Sequence, residues 1–118
     1  MSMKVFLVDD EPINNKINKK VLQLLQPEGD YKDYTDPQEA YTALPGEQPD
    51  LIFLDLNMPG MSGWEFLDKM NQDGFGTQVI ILTSSISTQD RDKAATYSNV
   101  IEFMSKPVNK ALLGKYIS

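Results

Sequence analysis

Val5-Phe6-Leu7-Val8-Asp9-Asp10-Glu11-Pro12 runs from four apolar residues into adjacent acids and then a proline. A short continuous apolar run reads as a strand buried on both faces, the habit of parallel sheets. Pro12 suits the first turn of a helix. Ile13, Ile17, Val21, Leu24 and Leu25 then recur at helical spacing with polar residues between them, until Pro27 and Gly29 end the pattern. The stretch predicts a buried strand, an acidic turn and an amphipathic helix.

The same phrase returns along the chain. Leu51 to Leu54 is a second buried run ending in Asp55, Val79 to Leu82 a third ending in Thr83, and Val100 to Met104 a fourth followed closely by Lys106. Tyr31 to Thr35 is a weaker, polar strand candidate suited to a sheet edge. Asp36 and Pro37 read as an N-cap and first helical turn of a short helix to Leu44, ending at Pro45 and Gly46. Asn57 to Gly63 reads as a loop, after which Trp64, Phe66, Leu67 and Met70 mark a helix. A helix from Gln89 to Tyr97 offers only Ala94, Ala95 and Tyr97 inward, so at about 25 cal/mol per Å² its docking is expected to be weak. Ala111 to Ile117 predicts the last helix.

Alternating strands and helices specify an α/β fold, with one parallel sheet, helices on both faces and right-handed crossovers. Five such units fill residues 1–118, leaving no linker and no repeat. In this architecture the strand ends share one edge, where open α/β sheets bind ligands. Asp9, Asp10, Asp55, Thr83 and Lys106 are therefore expected to meet.

Composition limits what they can do. Hydrophobic residues at 41% and charged residues at 24% match an ordinary globular domain. No apolar run approaches the roughly 20 residues that span a bilayer, and the first residues lack the pattern of a signal peptide, so the expected location is cytoplasmic. A net charge of -6 argues against direct nucleic-acid binding. Lys16, Lys19 and Lys20 read as a solvated helix face. With no cysteine and no histidine, disulfides, thiol catalysis and zinc-thiolate sites are excluded, and any histidine chemistry belongs to a partner.

Asp9 and Asp10 taken alone are consistent with the cap of the following helix. With Asp55 they form a carboxylate cluster, which in a partly desolvated cleft either takes up protons or holds a cation. Oxygen ligands without His or Cys suit a hard ion, Mg²⁺ better than Ca²⁺, and the loop after Asp55 offers a main-chain carbonyl. Lys106 alone is an ordinary loop lysine, and Thr83 alone a strand-end hydroxyl bonded to nearby backbone. Beside the acids they can neutralise and hydrogen-bond an anionic oxygen, the equipment for placing a phosphoryl group on a carboxylate.

Val8-Asp9-Asp10-Glu11-Pro12, Leu54-Asp55-Leu56-Asn57-Met58-Pro59-Gly60-Met61-Ser62-Gly63, Ile81-Leu82-Thr83-Ser84 and Phe103-Met104-Ser105-Lys106-Pro107 together resemble the receiver domain of bacterial two-component response regulators, of the chemotaxis-regulator kind. The resemblance covers the whole chain in order. It implies a flavodoxin-like (βα)5 fold with strand order 2-1-3-4-5. It implies that Asp55 is the phosphoacceptor for a phosphohistidine on a histidine kinase or histidine phosphotransfer protein. Asp10 and Asp55 then hold Mg²⁺ directly, Asn57 through its main-chain carbonyl, and Asp9 mainly through bound water. Thr83 and Lys106 grip the phosphoryl oxygens, and Phe103 is the aromatic switch, turning inward as Thr83 is drawn to the phosphate. Its plainer reading, a buried strand residue, stands beside that one. Lys106-Pro107 matches a cis peptide in the family, whereas most X-Pro bonds are trans.

The resemblance makes the chain a signalling switch rather than an enzyme. Its output goes to a downstream protein or domain through the fourth helix, fifth strand and fifth helix. Three departures stand out: phenylalanine rather than tyrosine at Phe103, Ser84 where alanine is common, and neither acid nor base at Asn57 and Ser85, which tune water access. Two rivals share parts of the pattern. A haloacid-dehalogenase-type phosphatase needs an acid two residues after its nucleophile, where Asp55 has Asn57; Asp9 has Glu11 there, but no cap domain accompanies it. A pseudo-receiver binds partners without phosphorylation.

Overall fold

Each strongly apolar run forms a strand, and the five strands lie parallel. The computed structural model describes residues 3–84, 87–106 and 110–116. The elements alternate as β1 (Lys4–Val8), α1 (Pro12–Leu25), β2 (Asp30–Tyr34), α2 (Pro37–Glu47), β3 (Leu51–Leu54), α3 (Gly63–Asp73), β4 (Gln78–Thr83), α4 (Thr88–Ala94), β5 (Val100–Ser105) and α5 (Lys110–Leu113). The sheet order is β2-β1-β3-β4-β5, as expected, and the polar β2 lies at an edge.

Period-2 alternation splits the core between the two faces of the sheet. Phe6, Val8, Ile52 and Leu54 face one way, towards Ala40, Leu44, Phe66 and Met70. Val5, Leu7, Leu51 and Phe53 face the other, towards Leu22 and Leu113. Between β4 and β5 the register slips: Val79 pairs with Val100, but Ile80 pairs with Glu102. The extra residue, Ile101, is a bulge. It brings Phe103 onto the face of Val79 and Ile81, and Met104 onto the face of Ile80 and Leu82.

Three helix starts are capped as their sequences direct. The Asp36 carboxylate accepts from Gln38 N–H, Ser87 accepts from Asp90 N–H, and Ser62 with Glu65 makes a reciprocal capping box. α2 does not stop at Leu44; it continues through Pro45 and Gly46 to Glu47. Proline removes one donor, and in a last turn that is tolerable. Gln48 N–H then closes on Leu44 C=O at 2.9 Å.

α1 departs furthest from expectation. Of its expected inward face, Ile13 is 63% exposed, Ile17 49% and Leu24 72%, and only Val21 and Leu25 pack, half-buried, on the core, while Asn15, Asn18 and Leu22 are buried. Lys16 and Lys20 are exposed, and Lys19 pairs with Asp33 at 3.4 Å. α4 ends at Ala94, earlier than the expected Tyr97. Pro107, Ser85 and Ile117 lie outside the described residues, and with them the cis-peptide expectation. Among the described residues no helix is long and apolar enough to cross a membrane.

Candidate functional site

The backbone ladder continues one residue past each strand, and this holds the site. Asp9 N–H donates to Tyr34 C=O at 3.1 Å, Asp55 N–H to Val8 C=O at 3.0 Å, and Lys106 N–H to Thr83 C=O at 2.8 Å. Asp9, Asp55 and Lys106 are thus fixed by the sheet itself.

Carboxylate oxygens of Asp9, Asp10 and Asp55 all lie within 4.8 Å of one another. Asp9 and Asp55 are buried and Asp10 is half-buried. The Lys106 ammonium bridges the two buried acids, 2.5 Å from Asp9 Oδ2 and 3.3 Å from Asp55 Oδ2. The other oxygen of each accepts a main-chain bond, Asp9 from Glu11 N–H at 2.9 Å and Asp55 from Asn57 N–H at 3.3 Å. Among the described residues the Asp10 side chain makes no hydrogen bond or ion pair.

These contacts set the charges. Burial pushes the Asp55 carboxyl above its ordinary range; Lys106 pulls it down and Asp9 pushes it up, with a net rise. For Lys106, burial opposes the charged form, but the bond to Asp9 and the charges of Asp55 and Asp9 outweigh it, so its affinity for the proton rises. Two buried carboxylates and a third beside them, countered by one ammonium, leave excess negative charge. An all-oxygen donor set of this kind fits Mg²⁺. Asp9 and Asp55 each have both oxygens engaged, whereas Asp10 is uncommitted, so of the three Asp10 has the freest oxygens to offer a cation.

The loop after Asp55 is anchored from below by Leu56, Met58 and Met61, all buried, while the Asn57 side chain is exposed. Gly60 adopts φ +85°, which glycine takes without strain. Gly63 is required for a different reason: a Cβ there meets Asp55 O at 2.6 Å and Leu56 Cα at 2.8 Å. The start of α3 thereby lies directly against the Asp55 backbone.

Thr83 is fully buried at the end of β4 and pairs in register with Ser105, one residue before Lys106. Phe103 is 7% exposed, its ring covered by the Arg91 guanidinium at 5.3 Å. Arg91, Ala94, Ala95, Val100, Glu102 and Phe103 border a groove of about 200 Å³ between α4 and β5. Within α4 only Ala94 is buried, and Ala95, expected to face inward, is exposed. The turn after it adds an anchor: Tyr97 stacks on Trp64 and donates to Asp68 Oδ1 at 2.7 Å.

Sequence reasoning missed Asn15. Its Nδ2 donates to Asp9 C=O at 3.0 Å and to Tyr34 C=O at 3.1 Å. Its Oδ1 is buried with no partner among the described residues, an arrangement costing about 1–3 kcal/mol. The signal was present as the stripe Asn15, Asn18, Leu22, whose polar head lies closest to the acids. Hydrophobicity alone favours the isoleucine face instead.

Residues 5–118 match the family model described as the response regulator receiver domain. The chain is 28% identical over 109 residues to the cyclic di-GMP phosphodiesterase response regulator RpfG of Xanthomonas campestris, covering 92% of this chain and 29% of that protein. It is 33% identical over 106 residues to the transcriptional regulatory protein TrcR of Mycobacterium tuberculosis, covering 89% and 40% respectively. The chain therefore spans less than half the length of these relatives. Among solved structures, a two-component response regulator from Cytophaga hutchinsonii superposes with a TM-score of 0.89 at 28% identity, covering 98% of this chain and 94% of that one. Strand order, acidic edge and family match agree: the chain belongs to the response regulator receiver domain family.

Proposed function

We propose that this chain is a phosphoacceptor in a cytoplasmic two-component phosphorelay, taking a phosphoryl group onto Asp55 from a phosphohistidine of a partner kinase or phosphotransfer protein. The observation that carries the reading is the convergence of Asp55 with Lys106, Asp9 and Asp10 at one sheet edge. A carboxylate oxygen of Asp55 forms the new P–O bond as the P–N bond breaks, and the bonding pair leaves on the imidazole nitrogen. Such transfer depends mainly on positioning and charge stabilisation. Lys106 turns from its carboxylates to a phosphoryl oxygen, and the Thr83 hydroxyl donates to another. Asp9, Asp10, Asp55 and the Asn57 main-chain carbonyl would hold Mg²⁺, which would supply positive charge against the phosphoryl oxygens.

Receiver domains of response regulators interact with histidine kinases and output domains. On this chain a groove of about 250 Å³ lined by Asn14, Ile17, Asn18 and Lys106 adjoins the site through Lys106, which bridges Asp9 and Asp55. The exposed Ile13 and Ile17 supply apolar surface for the donor to cover. The added phosphate carries about −1.5 to −2 charges. Through Thr83 it biases Phe103, Arg91 and the lightly packed α4, so the output face comprises α4, β5 and α5.

Incubation with acetyl phosphate and Mg²⁺ tests the reading. One acid-stable, base-labile phosphoryl group per chain is expected, absent from Asp55→Asn. Sustained hydrolysis of a generic phosphomonoester supports the phosphatase alternative, and failure to phosphorylate supports the pseudo-receiver.

A further inference from the structure

The turn from β1 into α1 lacks the usual means of fixing a helix start. Glu11 occupies the N-cap position without a side-chain cap bond, and Pro12 has no N–H. The turn is held from inside instead. Asn15 is 1% exposed, and its Nδ2 reaches both Asp9 C=O and Tyr34 C=O. Asp9 N–H donates to the same Tyr34 carbonyl. The end of β1, the end of β2 and the first turns of α1 therefore meet at one amide. Both acceptors are carbonyls, so the amide orientation is settled, and the buried Oδ1 is left with no partner among the described residues.

A leucine at position 15 keeps the branched shape and removes the orphaned Oδ1, but it offers neither donor, so the Asp9 carbonyl loses its side-chain partner. Those donors matter because of what lies beside them. The Asp10 side chain has no partner among the described residues, so its direction follows from its backbone. Asp9 is braced at its carboxylate by Lys106 and Glu11 N–H; at its carbonyl, Asn15 braces it. Asn15, Asn18, Asp9 and Asp55 line a seam with no room for a water beside the amide.

We propose that Asn15 is a positioning residue for phosphoryl acceptance, its amide holding the Asp9-Asp10 turn in the register at which both carboxylates face Asp55. The inference rests on the receiver reading. Outer partners of metal ligands commonly set affinity by 10- to 100-fold, and Asn15 acts on the ligands through their backbone.

The test is Asn15→Leu in the full chain, with Mg²⁺ affinity measured by calorimetry, the acetyl phosphate rate at saturating Mg²⁺, and Tm. The expected result is an Mg²⁺ Kd raised about tenfold with the saturated rate within about twofold. Leu22→Ala, on the same buried face but away from the turn, lowers Tm and leaves the Kd unchanged. Asn15→Ser, retaining one donor, gives an intermediate Kd and serves if Asn15→Leu does not fold. An unchanged Kd in the Asn15 variants, with a Tm loss like that of Leu22→Ala, overturns the proposal and makes Asn15 a core residue only. If the unaltered chain neither binds Mg²⁺ nor accepts phosphate, the receiver reading itself falls, and this inference with it.

Discussion

The indole of Trp64 on α3 stacks on the phenol of Tyr97, just beyond α4, with centroids 5.9 Å apart and planes 20° from parallel. Lys93 of α4 lies over the same indole at 4.6 Å, and Tyr97 is tied to Asp68. α4 is thus tethered at one end by side chains rather than docked along its length. Tyr97→Leu is expected to cost about 2 kcal/mol, the sum of an aromatic pair and a hydrogen bond. Amide protection should fall in α4 while β1 and β3 keep theirs. Trp64 is the sole tryptophan, so its emission reports the same release. A uniform loss of protection across the domain contradicts the tether.

The Tyr97 hydroxyl also gives a pH dependence. Burial, and then the bond to Asp68, push its pKa up to about 12. A group whose pKa is raised on folding contributes stability that is complete below its unfolded value of 10.0 and is lost as pH rises through the folded value. Denaturant unfolding should therefore show stability declining between about pH 10 and 12. Tyr97→Phe should make that decline shallower.

At the acidic edge the two signs of charge predict opposite results. Lys106→Met leaves Asp9 and Asp55 buried without their counter-ion and should cost about 3 kcal/mol, part of which added Mg²⁺ restores. Asp55→Asn removes a carboxylate whose pKa is raised mainly by burial. That raised pKa is a penalty fully present above the folded pKa, so at neutral pH without Mg²⁺ the variant should melt higher. A gain of about 1 kcal/mol corresponds to roughly 4 °C in a domain of this size. Below the carboxylate range the gain should vanish. Thermal melts across pH check both variants.

Gly63→Ala places a methyl group 2.6 Å from the Asp55 carbonyl oxygen. Backbone must move to accept it, at about 1–3 kcal/mol. The phosphorylation rate should fall with it, because the displaced residue is the proposed acceptor. Gly46→Ala, where nothing lies within 4 Å, is the control and should leave the rate unchanged.

Much of the fold is legible because β1, β3 and β4 are buried on both faces and leave unbroken apolar runs. The site is legible for a related reason: in a parallel sheet, whatever follows those runs shares an edge, so Asp9, Asp55, Thr83 and Lys106 meet by topology. The rotation of α1 is not legible. Periodicity ranks the isoleucine face as the buried one, but the carbonyls of Asp9 and Tyr34 accept the Asn15 amide, and those acceptors exist only once β1 and β2 are paired. The Trp64–Tyr97 contact is hidden likewise, since it joins residues from separate crossovers. The end of α2 was misplaced because Pro45 forfeits one bond without forbidding the last turn.

The central claim is that Asp55 receives the phosphoryl group. Borohydride reduction after acetyl phosphate and Mg²⁺ treatment, followed by peptide mapping, tests it most directly, because an aspartyl phosphate is reduced to homoserine where it stood. The account predicts that position 55 alone is converted, and only when phosphodonor and Mg²⁺ are both present. Conversion at Asp9, Asp10 or any other acid, or none at position 55 in a folded chain, contradicts it.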